Sequence, residues 1–324
     1  MTGVAFAGTG MWAPRLAEAA QRAGLSIVAC HSRDEAKRTA FAERFGCQAA
    51  PTFGEAIAHP DVEGVVIATP NDVHEEQALA CAELGRHVLV EKPIADTLEA
   101  GERIRAACLD AGVALMVGHA FRRLGAARRT KALLEEGALG RVVLAEANMS
   151  LPGTFRAGAW RAHRERNAGG PLMQLGIHHV DTLAYWLGPV RRANGRFAHV
   201  HADADIDDVG VATLEFESGA LGVVTGSYVS PKTLSLRLLG TEAVLDYRAD
   251  FSVWPDARAL DGVTSLMLDG EPIEFEQCDM LAEELAEFGA CIRGEAVTET
   301  GADEGLAALG VILQALGTER EAVG

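Results

Sequence analysis

The sequence predicts an α/β protein in two parts: a doubly wound parallel sheet over residues 1–118 and an α+β domain over residues 119–324. In the first part, short apolar runs alternate with helical patterns, and such repeated units form a parallel sheet with helices on both faces. In the second part, strand-length runs follow one another with short, turn-rich links, which indicates a mainly antiparallel open sheet. A length of 324 residues also exceeds what one hydrophobic core usually holds.

The first part is predicted from short apolar runs and from helical periodicity. The predicted strands are Gly3–Ala7, Ser26–Cys30, Gly64–Ala68, His87–Val90 and Ala114–Gly118. The predicted helices are Pro14–Ala23, about Asp34–Phe45, Val73–Leu84, and one that begins at the capping box Asp96-Thr-Leu-Glu99 and reaches about Ala111.

The second part is predicted to begin with a helix and then to become rich in strands. The predicted helices are about Gly125–Glu136, Leu175–Leu187, Met280–Ile292 and Asp303–Leu316. The predicted strands are about Arg141–Met149, Phe197–His201, Val209–Phe216, Ala220–Val229, Leu234–Leu239 and Ala243–Tyr247.

Composition and charge narrow the classes of partner. A formal net charge of −17 argues against nucleic acid and against anionic membranes, because both repel an acidic surface. The six cysteines form no C-x-x-C pair and no metal-finger spacing, which fits a reducing compartment. The sequence shows no signal peptide and no apolar run of about 18 residues, so a cytoplasmic protein is expected.

A glycine-rich turn follows the first predicted strand and carries the strongest binding signal. It reads Gly8-Thr9-Gly10-Met11-Trp12-Ala13, a form of the dinucleotide fingerprint G-x-G-x-x-A. The first glycine allows the tight turn, the second lets backbone amides approach a pyrophosphate, and the small third residue allows close helix–strand packing. The sequence therefore predicts a bound dinucleotide.

The end of the second strand indicates which dinucleotide binds. An acid there holds a free ribose 2′-hydroxyl, whereas an arginine accepts a 2′-phosphate. Ser32 and Arg33 come first and favour NADP, while Asp34 favours NAD if it contacts the ribose. Asp34 is equally suited to cap the following helix, so NADP is the preferred prediction and NAD stays open.

Glu91-Lys92-Pro93 follows the strand predicted at His87–Val90, at the edge where parallel sheets bind ligands. Hydride transfer at an alcohol carbon leaves a proton on oxygen, and a lysine can move it where desolvation and a positive ring lower its pKa. Adjacent strand residues face opposite ways, which predicts separate tasks for Glu91 and Lys92.

Four segments in this order resemble the glucose–fructose oxidoreductase, inositol dehydrogenase and rhizopine-catabolism family, abbreviated Gfo/Idh/MocA. They are Ala7–Ala13, Ala68–His74, Gly85–Pro93 and the run Gly169-Gly-Pro-Leu-Met-Gln-Leu-Gly-Ile-His-His-Val-Asp181. The resemblance covers essentially the whole chain. It implies a Rossmann domain followed by a substrate-binding domain, and an NAD(P)-dependent dehydrogenase or reductase that acts on a sugar, cyclitol or related polyol.

The resemblance also implies roles for individual residues. Lys92 contacts the substrate hydroxyl and assists proton transfer, within a Lys-Pro bond that is often cis, and His178 is the acid/base histidine. Glu91 lies near the nicotinamide ribose. The loop under the nicotinamide half contributes Thr69, Pro70, Asn71 and His74.

The chain departs from the family pattern at one site position. The residue four before His178 is acidic in the inositol-dehydrogenase type and is Gln174 here. Glutamine can hold a hydroxyl or an imidazole but cannot stabilise an imidazolium by charge. We therefore expect Lys92 and His178 to carry out more of the proton transfer.

Four further residues are candidates for substrate or cofactor contact: Trp160, Arg161, His119 and Arg123. Aromatic faces suit sugar rings and guanidinium groups suit hydroxyls or carboxylates, although Trp160 equally suits core packing. His179 and Asp181 invite a metal hypothesis. Neighbouring helical residues point in different directions, however, so no metal is predicted.

Two other functions stay open at this point. The family includes a transcriptional co-repressor, so a cofactor-sensing regulator is one alternative, and a redox-neutral enzyme with tightly held dinucleotide is another. The resemblance also implies a homodimer or homotetramer through the open sheet of the second domain. The alternating strand Val209–Phe216 is the candidate for that contact.

Overall fold

The structure is a computed structural model that describes residues 2–153, 160–253 and 256–322. The chain forms two compact units, one of Met1–Ala120 with Leu281–Leu306 and one of Phe121–Met280 with Ala307–Gly324. The domain division at 118/119 stays a prediction. The structure adds that residues 281–306 pack with the first unit.

The first unit contains a six-stranded sheet in the order β3-β2-β1-β4-β5-β6, in which each neighbouring pair is parallel. Its strands are β1 Gly3–Ala7, β2 Ser26–His31, β3 Gln48–Ala49, β4 Gly64–Ile67, β5 His87–Glu91 and β6 Leu115–Gly118. Its early helices are α1 Ala13–Arg22, α2 Glu35–Phe45, α3 Phe53–Ile57, α4 His74–Glu83 and α5 Leu98–Asp110. This is the predicted doubly wound sheet.

The strand order reverses between β1 and β4, and open parallel sheets bind ligands beyond the carboxyl ends of the strands at such a point. All residues of β1 and β4 are buried, as expected for strands covered on both faces. The glycine turn follows β1 and the Thr69 loop follows β4. The fold therefore places two predicted binding segments side by side.

Three local features of the first unit differ from expectation. The sequence did not predict β3 or α3, because two and five residues are too short to show a period. The capping residue of α5 is Thr97, which accepts from the Ala100 amide at 3.1 Å, and not Asp96. The capping box was placed one residue too early.

The second unit contains an eight-stranded sheet in the order β14-β13-β12-β11-β7-β10-β9-β8. Every neighbouring pair is antiparallel except β7 with β10, so the prediction of a mainly antiparallel sheet is confirmed. The strands are β7 Val142–Ser150, β8 Val190–Ala198, β9 Val209–Phe216, β10 Leu221–Ser227, β11 Thr233–Gly240, β12 Val244–Ala249, β13 Thr264–Leu268 and β14 Glu271–Pro272. The remaining helices are α6 Gly125–Glu135, α7 Ile177–Leu187, α8 Met280–Ile292 and α9 Ala302–Ala322.

The strand predicted at Phe197–His201 was wrong, because the strand in this region is β8, which ends at Ala198. β8 is an edge strand, and charged residues interrupt its apolar pattern at Arg191, Arg192 and Arg196. Edge strands commonly carry such charges because they discourage pairing with another chain.

Residues 281–306 complete the first unit. Phe288 on α8 is fully buried, and a Cβ on Gly64 of β4 would lie 2.9 Å from its ring. Thr300 makes two hydrogen bonds with Val117 of β6: the Val117 amide donates to the Thr300 carbonyl at 2.7 Å, and the Thr300 hydroxyl donates to the Val117 carbonyl at 2.8 Å. Among the described helices, none combines the length and the apolar character needed to cross a membrane.

Candidate functional site

The glycine turn has the geometry that a diphosphate requires. Gly8 has a φ of +88°, its amide donates to the His31 carbonyl at 2.9 Å, and a Cβ there would lie 2.5 Å from the Ala68 carbonyl oxygen. Only glycine fits that position without strain. A Cβ on Gly10, in contrast, would meet no atom within 4 Å. The backbone is therefore open on the side that a ligand approaches.

The start of α1 also fits an anion. Trp12 caps the helix without a side-chain hydrogen bond, and the first turn carries no acidic residue. Helix N-termini of this kind attract phosphate through their free amides and their dipole. The Thr9 hydroxyl is buried and has no hydrogen-bond partner among the described residues, which leaves it for a ligand. Ala13 is fully buried and lets the helix pack closely.

The loop after β2 holds the predicted cofactor-selecting residues. Asp34 caps α2 by accepting from the Lys37 amide at 3.1 Å, so its structural role is established. That hydrogen bond lowers the pKa of the Asp34 carboxyl. The Arg33 side chain is exposed beside it. Arg38, which the sequence did not single out, donates from Nη1 to the Ser32 carbonyl at 2.8 Å and brings a second guanidinium to this loop.

The loop after β4 is tied to the Lys92-Pro93 turn through His74. This side chain is 1% exposed, and its ring nitrogens lie 3.0 Å from the Pro93 carbonyl oxygen and 3.0 Å from the Thr69 carbonyl oxygen. Burial lowers the pKa of His74, so the ring is neutral and donates one hydrogen bond. The Thr69 hydroxyl donates to Gln77 at 2.7 Å, and Asn71 is buried within a short 3₁₀ turn that follows Pro70.

The turn after β5 contains Lys92, which is half-buried and precedes a cis peptide bond to Pro93. Glu91 accepts from the Trp12 indole N–H at 2.7 Å through Oε1 and from the Lys92 amide at 3.2 Å through Oε2. A Cβ on Gly118 of the neighbouring strand would lie 3.1 Å from that carboxylate. The absence of a side chain at Gly118 therefore makes room for Glu91.

The segment after β6 carries two of the further candidates. His119 is 1% exposed and lies in the first unit, and Arg123 is fully buried and lies in the second. The Arg123 carbonyl accepts from the Cys278 thiol.

In the second unit, Gln174 and His178 lie at the start of α7. Leu172–Gly176 forms a π-helical turn, so Gln174 and His178 are not separated by one regular α-helical turn. Such turns are often found at functional sites. Gln174 is buried, and the His178 ring packs against Phe121 with centroids 4.4 Å apart. This contact with Phe121 could not be predicted from the sequence, because the two residues are far apart in the chain.

His179 and Asp181 have separate structural partners. His179 is fully buried, its Nε2 lies 3.1 Å from the Asn148 carbonyl oxygen, and burial lowers its pKa to about 4. Asp181 accepts two hydrogen bonds from the Arg122 guanidinium, at 2.8 and 2.6 Å. Among the described residues no three His, Cys, Asp or Glu side chains are grouped to hold a metal ion.

Trp160 and Arg161 form a local pair. The Arg161 guanidinium lies over the Trp160 ring, 4.5 Å from its centroid, and the Arg161 carbonyl accepts from Asn167 at 3.1 Å. Trp160 is half-buried and Arg161 is exposed.

Two family profiles match the chain. Residues 2–119 match the oxidoreductase family with an NAD-binding Rossmann fold, and residues 127–246 match the Gfo/Idh/MocA C-terminal domain. The chain belongs to the Gfo/Idh/MocA oxidoreductase family. The resemblance seen in the sequence is thereby confirmed.

Two curated relatives in this family are named as oxidoreductases of sugars. D-xylose 1-dehydrogenase [NADP(+)] from Haloarcula marismortui is 29% identical, and the match covers 95% of this chain and 88% of the relative. The 1,5-anhydro-D-fructose reductase from Ensifer adhaerens is 26% identical, and the match covers 87% of this chain and 85% of the reductase.

A solved structure is also closely similar. It is provisionally assigned as an NADPH-dependent oxidoreductase from Desulfitobacterium hafniense, with 35% identity, a TM-score of 0.94 and coverage of 99% of this chain and 96% of that chain. With the glycine turn and the family membership, these relatives establish the chain as an NAD(P)-dependent dehydrogenase or reductase that acts on CH–OH groups.

Proposed function

We propose that this Gfo/Idh/MocA member transfers a hydride between its dinucleotide and a secondary alcohol or ketone carbon of a sugar, cyclitol or related polyol. The observation that carries the proposal is Lys92, which follows β5 in a turn held by hydrogen bonds of Glu91 and His74. The sugar substrates of the curated relatives support the substrate class.

The residues of the chain have to hold the substrate oxygen and move its proton, while the bound nicotinamide supplies or accepts the hydride. Lys92 exchanges the hydroxyl proton through its amine, and the neutral form of a lysine or histidine is the one that accepts it. His178 is the second group for that proton, and the Phe121 ring restricts the orientation of its imidazole. Gln174 holds a hydroxyl or the imidazole by hydrogen bonding, because an amide carries no charge.

The dinucleotide is NADP in this proposal. Two guanidinium groups lie at the loop after β2, Arg33 exposed and Arg38 anchored on the Ser32 carbonyl. The carboxylate that would favour NAD is engaged instead, since Asp34 caps α2 and pairs with Lys37 at 3.2 Å. Guanidinium groups bind phosphate through charge-assisted, often bidentate hydrogen bonds, whereas a neutral 2′-hydroxyl does not compensate their charge.

The substrate class is tested by following the absorbance of the reduced nicotinamide across aldoses, inositols, anhydrosugars and keto-sugars, with both dinucleotides. We expect turnover on at least one polyol or its ketone. Absence of turnover on the entire panel, with a protein that still binds the dinucleotide, would contradict the proposed substrate class.

The same assay decides the cofactor. We expect a lower KM for NADP than for NAD, and we expect Arg33→Ala to raise the KM for NADP about tenfold while leaving the KM for NAD nearly unchanged. Arg44→Ala is the matched control, because Arg44 lies in the last turn of α2, away from the loop, and is paired with Glu18. A better KM for NAD in the unmodified enzyme would reverse the assignment.

The proposal also includes an assembly and a location. The protein forms a homodimer or homotetramer through the sheet of its second unit, and it is found in the cytoplasm. β9 alternates, burying Ala212 and Leu214 on one face while Val211 is 38% exposed on the other, and Leu221 on β10 is 54% exposed. All six cysteines are free thiols, which fits a reducing compartment. Light scattering should give a multiple of the 34.2 kDa chain mass, and the Val211→Lys, Leu221→Lys variant should approach a single chain. A monomeric unmodified protein would refute the contact.

A further inference from the structure

The Trp12 indole makes a contact that the fingerprint does not require. The fingerprint needs glycines and one small residue, and position 12 is unrestricted. Here the indole N–H donates to Glu91 Oε1 at 2.7 Å, across 79 residues of chain. A hydrogen bond to a carboxylate at this distance is among the stronger ones in proteins. The glycine turn and the β5 turn are thereby joined.

The Glu91 carboxylate also contacts Lys92, so the Trp12 hydrogen bond restricts the position of Lys92 through Glu91. Its second oxygen, Oε2, accepts from the Lys92 backbone amide at 3.2 Å, so the two carboxylate oxygens hold different partners. Gly118 provides the space in which the carboxylate lies. Without the indole N–H, Oε1 loses this donor, and the link between the glycine turn and the carboxylate is removed.

The indole itself is held in place. Trp12 is the N-cap residue directly before α1, and the Arg15 guanidinium lies 5.7 Å from the centroid of its ring. Arg15 also donates to the Met11 carbonyl. A rigid donor loses little entropy when it orients an acceptor, so this arrangement suits a positioning role.

We propose that Trp12 is a positioning residue for Lys92 and acts through the Glu91 carboxylate that both contact. This inference rests on the proposed function, because it is Lys92 that is given the proton transfer. The residue therefore contributes to the chemical step, and its contribution to dinucleotide affinity is small.

The first test observes the network without any substrate. The chain has four tryptophans and four lysines, at 37, 92, 131 and 232, so isotope-labelled tryptophan and lysine give few and resolvable signals. In the dinucleotide-bound enzyme, Trp12→Phe should shift the Lys92 amide signal and accelerate its hydrogen exchange, while the other lysine amides stay unchanged. Glu91→Gln should shift both the Trp12 indole signal and the Lys92 amide signal. An unaffected Lys92 amide in Trp12→Phe overturns the proposal.

The second test is kinetic. Trp12→Phe keeps an aromatic ring and removes only the N–H, and it should lower kcat about tenfold with nearly unchanged dinucleotide affinity. Trp186→Phe is the matched control, because it removes another indole N–H, which donates to the Ala127 carbonyl at 3.0 Å in the second unit. It should leave kcat unchanged.

A double-mutant cycle separates positioning from general structural damage. If Trp12 acts through Glu91, Trp12→Phe has little further effect on kcat once Glu91→Gln is present. Additive losses, or an unchanged kcat in Trp12→Phe, overturn the proposal. If the unmodified enzyme turns over no polyol, the proposed function fails instead, and the amide and indole signals alone decide whether Trp12 holds the Lys92 turn.

Discussion

Replacing Lys92 with alanine should lower kcat by about three orders of magnitude, in line with the loss of a general acid–base group. The fold and dinucleotide affinity should be nearly unaffected, because the substitution leaves the glycine turn, the start of α1 and Arg33 unaltered. The measurement is kcat on a substrate found in the screen, beside the dissociation constant for the dinucleotide.

Two variants sharpen this experiment. Lys92→Arg keeps a positive charge, but a guanidinium holds its proton far above neutral pH, so it should not restore turnover. Lys131→Ala removes an equal charge from helix α6, where the amine pairs with Glu135 at 3.5 Å, and should leave kcat unchanged. Rapid turnover in Lys92→Ala would show that another group moves the proton.

The second large effect concerns stability. Asp181→Asn should lower the free energy of unfolding by about 3–5 kcal/mol, because it removes the negative charge that accepts two hydrogen bonds from the buried Arg122 guanidinium. The two side chains of the Arg122–Asp181 pair are only 9% and 1% exposed. Urea unfolding followed by tryptophan fluorescence reports on this unit through Trp186, which lies five residues after Asp181 on the same helix.

An exposed pair in the same unit supplies the control. Arg237 and Asp246 lie 3.4 Å apart on neighbouring strands, with side chains 47% and 30% exposed. Asp246→Asn should cost less than about 1 kcal/mol, because solvent screens such pairs. Replacing both buried partners, as Arg122→Met with Asp181→Leu, should recover much of the loss. Equal losses in Asp181→Asn and Asp246→Asn would mean that burial adds nothing to the Arg122–Asp181 pair.

Local patterns were sufficient to predict the parallel sheet and the glycine turn. Buried strands are continuous apolar runs, and the fingerprint lies within six consecutive residues, so both are readable along the chain. The position of Lys92 at the carboxyl end of a parallel strand follows from the apolar run that precedes it. Sequence reasoning also identified Trp12 and Glu91 separately.

The contacts between distant residues were not predictable. The Trp12–Glu91 hydrogen bond, the His178–Phe121 ring contact and the Arg122–Asp181 pair each join segments far apart in the chain, and no periodicity records them. The edge strand β8 was misplaced for another reason. Its outward charges hide the alternation that a one-sided strand otherwise shows.

The first unit is assembled from two separated stretches of the chain, and this has a consequence for biosynthesis. Its sheet leaves the ribosome complete at Gly118, while Phe288 and Thr300, which cover β4 and bond to β6, are still untranslated. Until these residues are synthesised, apolar surface on the nascent sheet stays exposed, where chaperones can bind it or where it can aggregate. A fragment that ends after β6 lacks residues 281–306 altogether, so its sheet stays uncovered. A dinucleotide-binding module cut from this protein therefore needs the 281–306 segment added back.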